Sequence, residues 1–239
     1  QTCALPIYAR TVHDQVHGHL GDGQGVAQRD QVAGALGCLD ACDAGHGQHV
    51  ALLHGPVGDG GGDLGGGVHR GAERTMDISA DLTEMAQTDV AVVSAGVKSI
   101  LDVSATLERL ETLSIPVVAV GTTKFPGFFL TDSGFTLDWS VENAKEVAAI
   151  MTQRDKFHTG GGMVVANPLP VDEQLDPTLH DRLLSDGMRA AEIRGIRGKD
   201  VTPFLLDFFH RESKGRSLDV NVTVVLNNAR FAAAIAREL

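Results

Sequence analysis

The stretch VAVVSAG (90–96), followed by SILDVSATLERLETLS (99–114) and IPVVAVGT (115–122), confines this chain to a small set of folds. VAVVSAG is a short apolar run rich in β-branched residues and closed by a glycine, the pattern of a strand buried on both faces. In the next segment Ile100, Val103, Leu107, Leu110 and Leu113 recur at helical spacing, with Glu108 and Glu111 on other faces. IPVVAVGT repeats the buried-strand pattern. A strand, a helix and a strand within about 30 residues form a βαβ unit, whose strands run parallel because the crossover returns the chain to the same end of the sheet.

The rest of the C-terminal three quarters keeps this alternation. SVENAKEVAAIMTQRDKF (140–157) is an amphipathic helix, and GGGMVVANPLP (160–170) reads as a glycine turn, a strand and a proline-stopped loop. LHDRLLSDGMRAAEIRG (179–195) is helical, with Gly195 as its C-terminal cap. TPFLLDFFHRESKG (202–215) places Pro203 in a first helical turn and Gly215 at the end. SLDVNVTVVLNNARFAAAIAREL (217–239) is expected to hold an alternating, then apolar, extended stretch ending at VTVVL, followed by a terminal helix. The predicted class is α/β: a three-layer α/β/α sandwich around a mixed, largely parallel sheet.

Residues 1–65 read differently. Lysine is absent before Lys98, glutamate before Glu73, serine before Ser79 and phenylalanine before Phe125, while glycine and histidine crowd the segment. Such composition offers few apolar anchors and much backbone entropy to lose. Only VAGALGCLDA (32–41) could make a helical turn or two; the histidines suit either a flexible tail or a metal-binding tract. Gln1–Ile7 also back-translates to a common sequencing-adapter remnant, and out-of-frame translation of a GC-rich gene yields this residue mix. The expectation is therefore two parts: 1–65, foreign to the domain, and 66–239, an N-terminally truncated domain.

The net charge of −11 argues against nucleic acid as a partner, because a phosphate backbone calls for a basic face. A small phosphorylated metabolite remains compatible. No run of about 18 apolar residues exists, so no membrane span is expected, and the start lacks the apolar core of a signal peptide. The expected compartment is the cytoplasm. Cys3, Cys38 and Cys42 form no zinc pattern.

Several constellations could carry chemistry. In DISAD (77–81), an extended backbone would place Asp77, Ser79 and Asp81 on one face, a hard-oxygen set suited to Mg²⁺ or Mn²⁺ with waters and substrate oxygens. The competing reading is a helix start, with Asp81 and Glu84 as a capping box; both can hold, since Asp77 is not needed for the cap. His69 and Arg70 lie in GVHRG, where flanking glycines allow close backbone approach to a ligand or simply a surface turn. Lys98 follows a strand almost at once, where ligands of open α/β sheets gather; it reads as a carbonyl-attacking nucleophile or as a solvated surface lysine. Asn227 and Asn228, after VTVVL, are strand-end amides that bind a ligand or turn the chain.

GGGVHRGAERTMDISADLTEMAQTDVAVVSAGVKSILD (65–102), GTTKFPGFF, VVANPLP, GKDVTPFLL and SLDVNVTVVLNNARFAAAIA together resemble the pseudouridine-5'-phosphate glycosidase family, also called indigoidine synthase A-like. The resemblance covers about residues 66–239 and implies reversible cleavage of the C–C glycosidic bond of pseudouridine 5'-phosphate to uracil and ribose 5-phosphate. It implies a divalent metal, Mn²⁺, at Asp77; substrate binding by Ser79, Ala80 and Asp81, with His69 and Asn221 near the pocket; Lys98 as nucleophile; and a homotrimer. A C–C glycosidic bond has no leaving-group oxygen to protonate, so the paired-carboxylate scheme of O-glycosides does not transfer, whereas a lysine imine with ring-opened ribose can accept the bond's electrons. The family's upstream glutamate acid and phosphate-contacting lysine have no counterpart here, since no Glu precedes Glu73 and no Lys precedes Lys98. The alternatives are a catalytically incompetent fragment of that family, or a non-catalytic metal- or phosphate-binding α/β protein.

Overall fold

The computed structural model describes residues 49–52, 66–98 and 100–239. Apart from 49–52, the expectations for residues 1–65, including the foreign origin and the histidine tract, lie outside the described residues. Five strands form one parallel sheet in the order β1-β2-β7-β3-β6: β1 His49–Leu52, β2 Val90–Ser94, β3 Val117–Val120, β6 Ser140–Val141 and β7 Met163–Ala166. The antiparallel component is a separate two-stranded ribbon of β4 Lys124–Phe125 and β5 Phe135–Thr136.

The βαβ unit stands as expected: β2, helix α3 (Val103–Thr112) and β3, with β7 inserted between the two strands. Each central strand is buried on both faces. Ala91 and Val93 of β2 join Met163 and Val165 of β7 under helix α4 (Ala144–Lys156) and the C-terminal half of helix α7 (Arg216–Glu238). Val92 and Val164 face the opposite side, under α2 (Asp81–Gln87) and α3, where Leu82, Met85 and Leu110 close the core. These are the three layers. A short helix α1 (Ala72–Thr75) precedes α2, and α5 (Pro177–Ile193) and α6 (Val201–Glu212) cover the end of the sheet with a third cluster built around Leu183, Leu205 and Phe209.

Helix ends follow the local chemistry. Asp102, Asn143 and Asp176 cap α3, α4 and α5 by accepting from the backbone N–H groups of Ala105, Glu146 and Leu179. The α5 terminus closes as read: Gly195 has φ +66, its N–H donates to the Glu192 carbonyl, and Ile196 N–H donates to Ala191. Pro203 is the third residue of α6, where its missing N–H costs nothing.

The C-terminal stretch is the main correction. Residues 217–226 are not extended; α7 is one uninterrupted helix from Arg216 to Glu238. Among its buried residues, Ser217, Val220, Val224, Asn228, Ala232 and Ile235 form a stripe that recurs every three or four positions along one helix face. The β-branched residues cost only a few tenths of a kcal/mol each in a helix, and the alanine-rich tail and burial of one face outweigh that preference. Asn227 and Asn228 accordingly lie inside a helix, not at a strand end.

Candidate functional site

The site is assembled at the carboxyl ends of the central strands. After Ser94 the chain turns through Gly96, whose φ is +91, and reaches Lys98, which is 3% exposed. A glycine is needed here: a Cβ would lie 1.9 Å from the Pro126 carbonyl oxygen. This close approach lets Phe128 N–H donate to Ala95 at 2.8 Å and bridges Gly96 to Gly127. The solvated-surface alternative for Lys98 is thereby excluded.

The loop carrying Lys98 is stitched to a second segment. Leu101 N–H donates to the Lys98 carbonyl, Asp102 N–H donates to Val68, and Val68 N–H donates to the Thr106 hydroxyl at 2.9 Å. Val68 also pairs antiparallel with Ile78, with His69 N–H on the Asp77 carbonyl and Ser79 N–H on Gly67. This miniature ladder sets His69 beside Asp77: Nδ1 to Oδ2 is 3.9 Å, with the Thr202 hydroxyl of α6 at 3.4 Å from the same nitrogen. Thr202 carries no signal in the sequence that would have placed it here, since only the packing of α6 brings it to residue 69.

The DISAD expectation needs a partial correction. Asp77 and Ser79 flank Ile78 in extended backbone, but Asp81 already belongs to α2, so the three side chains do not share one strand face. Nor is there a capping box: Ala80 occupies the N-cap position and no side chain caps α2. Instead the Asp81 carboxylate accepts from Gly66 N–H at 3.3 Å, and Asp81 N–H donates to the Ser79 hydroxyl at 3.3 Å. A Cβ at Gly66 would fall 2.0 Å from Ser79 Oγ, so the glycine loop wraps directly onto these side chains. Arg70 is exposed in the turn before Gly71.

Asn221 lies in the N-terminal half of α7, with its Oδ1 buried without a hydrogen-bond partner. Asn167, just past β7, donates from its backbone to the Ser94 carbonyl and from Nδ2 to Asn228 Oδ1 at 3.1 Å. A cavity of about 200 Å³ lined by Arg154, His158 and Gly160 lies at the opposite, amino ends of β2 and β7. Its arginine is engaged by the Gly160 and Gly161 carbonyls, both at 2.9 Å, so it is structural.

A divalent metal fits this arrangement in one form only. Among the described residues no three His, Cys, Asp or Glu side chains converge. Asp77 is 30% exposed at its side chain, which leaves room for waters and substrate oxygens around one carboxylate. That is how Mg²⁺- and Mn²⁺-type ions bind beside phosphorylated substrates, and it is unlike a protein-built cage.

The family described as indigoidine synthase A-like protein matches residues 60–238 of this chain. The chain belongs to that family. A pseudouridine-5'-phosphate glycosidase of Salinispora tropica is 57% identical over 173 residues, 72% of this chain and 53% of that protein. One from Geobacillus kaustophilus is 48% identical over 174 residues, 73% of this chain and 58% of that protein. The chain thus spans little more than half the length of these relatives. Among solved structures, an indigoidine synthase A-like protein of Thermotoga maritima superposes with a TM-score of 0.65 at 36% identity, covering 79% of this chain and 58% of that one. A prealnumycin C-glycosynthase in complex with ribulose 5-phosphate superposes with a TM-score of 0.70 at 26% identity, covering 90% and 74%.

Proposed function

We propose that this chain carries the site of a pseudouridine-5'-phosphate glycosidase, which reversibly cleaves pseudouridine 5'-phosphate to uracil and ribose 5-phosphate. The observation that carries the reading is Lys98: an amine 3% exposed, held at the carboxyl end of β2 and tied through Val68 to the segment bearing His69, Asp77 and Ser79. The names of the relatives and the phosphosugar bound to the C-glycosynthase support the same chemistry.

In this mechanism Lys98 Nζ bonds to C1′ as the C1′–O4′ bond opens, and O4′ takes up the proton that the amine loses. Protonation at the base carbon then lets the nitrogen lone pair form C1′=N⁺ while the electron pair of the C–C bond returns to the pyrimidine ring. Water hydrolyses the iminium, releasing ribose 5-phosphate and restoring the amine. Asp77 would hold Mn²⁺, which supplies positive charge beside the phosphosugar. Ser79, Ala80 and Asp81 would line the sugar-phosphate end, with His69 beside them and Asn221 contributed by α7. The proton donor to the base is a role that the family resemblance places upstream of Gly66. The same reading includes association into a homotrimer, as the family resemblance implies. A metabolic enzyme of this kind would work in the cytoplasm.

The test is borohydride reduction in the presence of ribose 5-phosphate and Mn²⁺, followed by peptide mapping. A reduced adduct on Lys98 is expected. A folded, metal-loaded chain that gives no adduct overturns the reading and favours a non-catalytic phosphate-binding role.

A further inference from the structure

Thr202 is the second residue of α6, and its hydroxyl is used differently from those of other helical threonines. Thr106, Thr112, Thr152 and Thr223 each donate to the carbonyl four residues earlier, at 2.6, 2.8, 2.8 and 3.1 Å. That local bond is the ordinary resting place of a threonine hydroxyl in a helix. The Thr202 hydroxyl instead lies 3.4 Å from His69 Nδ1, across 133 positions of chain. Among the described residues it has no other partner, and His69 Nε2 has none.

The backbone of His69 is already fixed. Its N–H donates to the Asp77 carbonyl at 3.1 Å, and its carbonyl accepts from Ala72 N–H at 3.0 Å. What remains to be set is the ring. Two groups approach Nδ1, the Thr202 hydroxyl at 3.4 Å and Asp77 Oδ2 at 3.9 Å, and only the hydroxyl is within hydrogen-bond reach. The two impose opposite tautomers on a neutral ring. An ionised carboxylate only accepts, so it calls for a proton on Nδ1 and leaves Nε2 bare. A hydroxyl can donate, so Nδ1 can stay bare while Nε2 carries the proton. The difference matters for a phosphosugar, whose exposed atoms are mostly acceptor oxygens. An Nε2–H bonds to such an oxygen, whereas a bare Nε2 meets it lone pair to lone pair. With its side chain 22% exposed, His69 is open to a ligand on the short ladder that also carries Asp77 and Ser79.

We infer that Thr202 is a positioning residue, whose hydroxyl donates to His69 Nδ1 and so presents Nε2–H to an acceptor oxygen of the phosphosugar. The inference rests on the glycosidase reading and adds to it a residue from α6 that acts only through His69.

The experiment compares the full chain with Thr202→Val, which is isosteric but has no hydroxyl, and Thr202→Ser, which keeps one. Borohydride trapping on Lys98 is followed against ribose 5-phosphate concentration with Mn²⁺ present. Thr202→Val is expected to raise the half-saturating concentration about 10-fold or more, with the plateau trapping rate kept, and Thr202→Ser is expected to restore it. An unchanged half-saturating concentration in folded Thr202→Val overturns the inference. So does a loss in Thr202→Ser as large as in Thr202→Val, which would assign the effect to packing of α6. Two-bond ¹H–¹⁵N spectra of the neutral imidazoles read the tautomer directly in the unmodified chain, with Mg²⁺ replacing paramagnetic Mn²⁺ and the signals of His69 identified by their loss in His69→Gln. Nε2–H is expected; Nδ1–H overturns the inference even if Thr202→Val does not fold. Normal trapping with Nδ1–H on His69 sinks the inference alone, whereas no trapping by the unmodified chain sinks the glycosidase reading and the inference with it.

Discussion

Gly96 and Gly134 form a matched pair that isolates how the Lys98 loop is held. Their φ angles are nearly equal, +91 and +87, so an alanine at either meets the same left-handed backbone penalty of about 1–2 kcal/mol. Their surroundings differ. A Cβ at Gly134 meets nothing within 4 Å, whereas at Gly96 it lies 1.9 Å from the Pro126 carbonyl oxygen and 2.6 Å from its carbon. Neither atom is the end of a flexible side chain, so relief requires the 95–98 and 125–129 segments to separate and strains the Phe128 to Ala95 hydrogen bond. Overpacking of this kind costs about 1–3 kcal/mol more. Gly134→Ala is therefore expected to destabilise by about 1–2 kcal/mol and Gly96→Ala by about 2–5, the latter about 4–20 °C in melting temperature for a domain of this size. Urea and thermal unfolding followed by circular dichroism measure both. Gly96→Ala should also lose borohydride trapping at Lys98, and Gly134→Ala should keep it. If the two variants are equally stable, the backbone approach at Gly96 is not what anchors the loop.

Two further outcomes follow from single contacts. Asp77→Ala should abolish Mn²⁺ binding while leaving the melting temperature within a few degrees, because the Asp77 side chain is part-exposed and its ion-pair partner is His69 at 3.9 Å; unchanged Mn²⁺ affinity by calorimetry would show that the metal sits elsewhere. Asp132 is held below the usual carboxylate range by the hydrogen bond from Lys124 and the Gly134 N–H. A carboxylate depressed in the folded state stabilises above its unfolded pKa of about 4 and loses that contribution as pH falls through the folded value. With side chains 62 and 36% exposed the pair is worth under about 1 kcal/mol. Lys124→Ala should thus lower stability slightly at pH 7 and not at pH 2, and an equal loss at both would mean that packing, not charge, is at stake.

What the sequence determined by itself was the parallel α/β core. VAVVS, VVAV and MVVA are short, β-branched and apolar on both faces, a pattern that only a central strand covered by two helical layers can satisfy. Gly195 was likewise local, because a left-handed residue that closes a helix acts within one turn. Lys98, Asp77 and Ser79 were nameable because their motifs resemble a family, not because spacing alone marked them. Residues 217–226 were not legible: a β-branched alternation of valines fits a strand and a helix face almost equally, and only burial against α4, α5 and α6 selected the helix. Asp81 was misplaced for a related reason, since whether a carboxylate caps its own helix or reaches Gly66 depends on where the preceding loop folds back. Thr202 against His69, and Asn167 against Asn228, join residues 133 and 61 positions apart. No local pattern encodes such pairs; they exist because the sheet brings the carboxyl ends of β2 and β7 together and α6 and α7 pack across them.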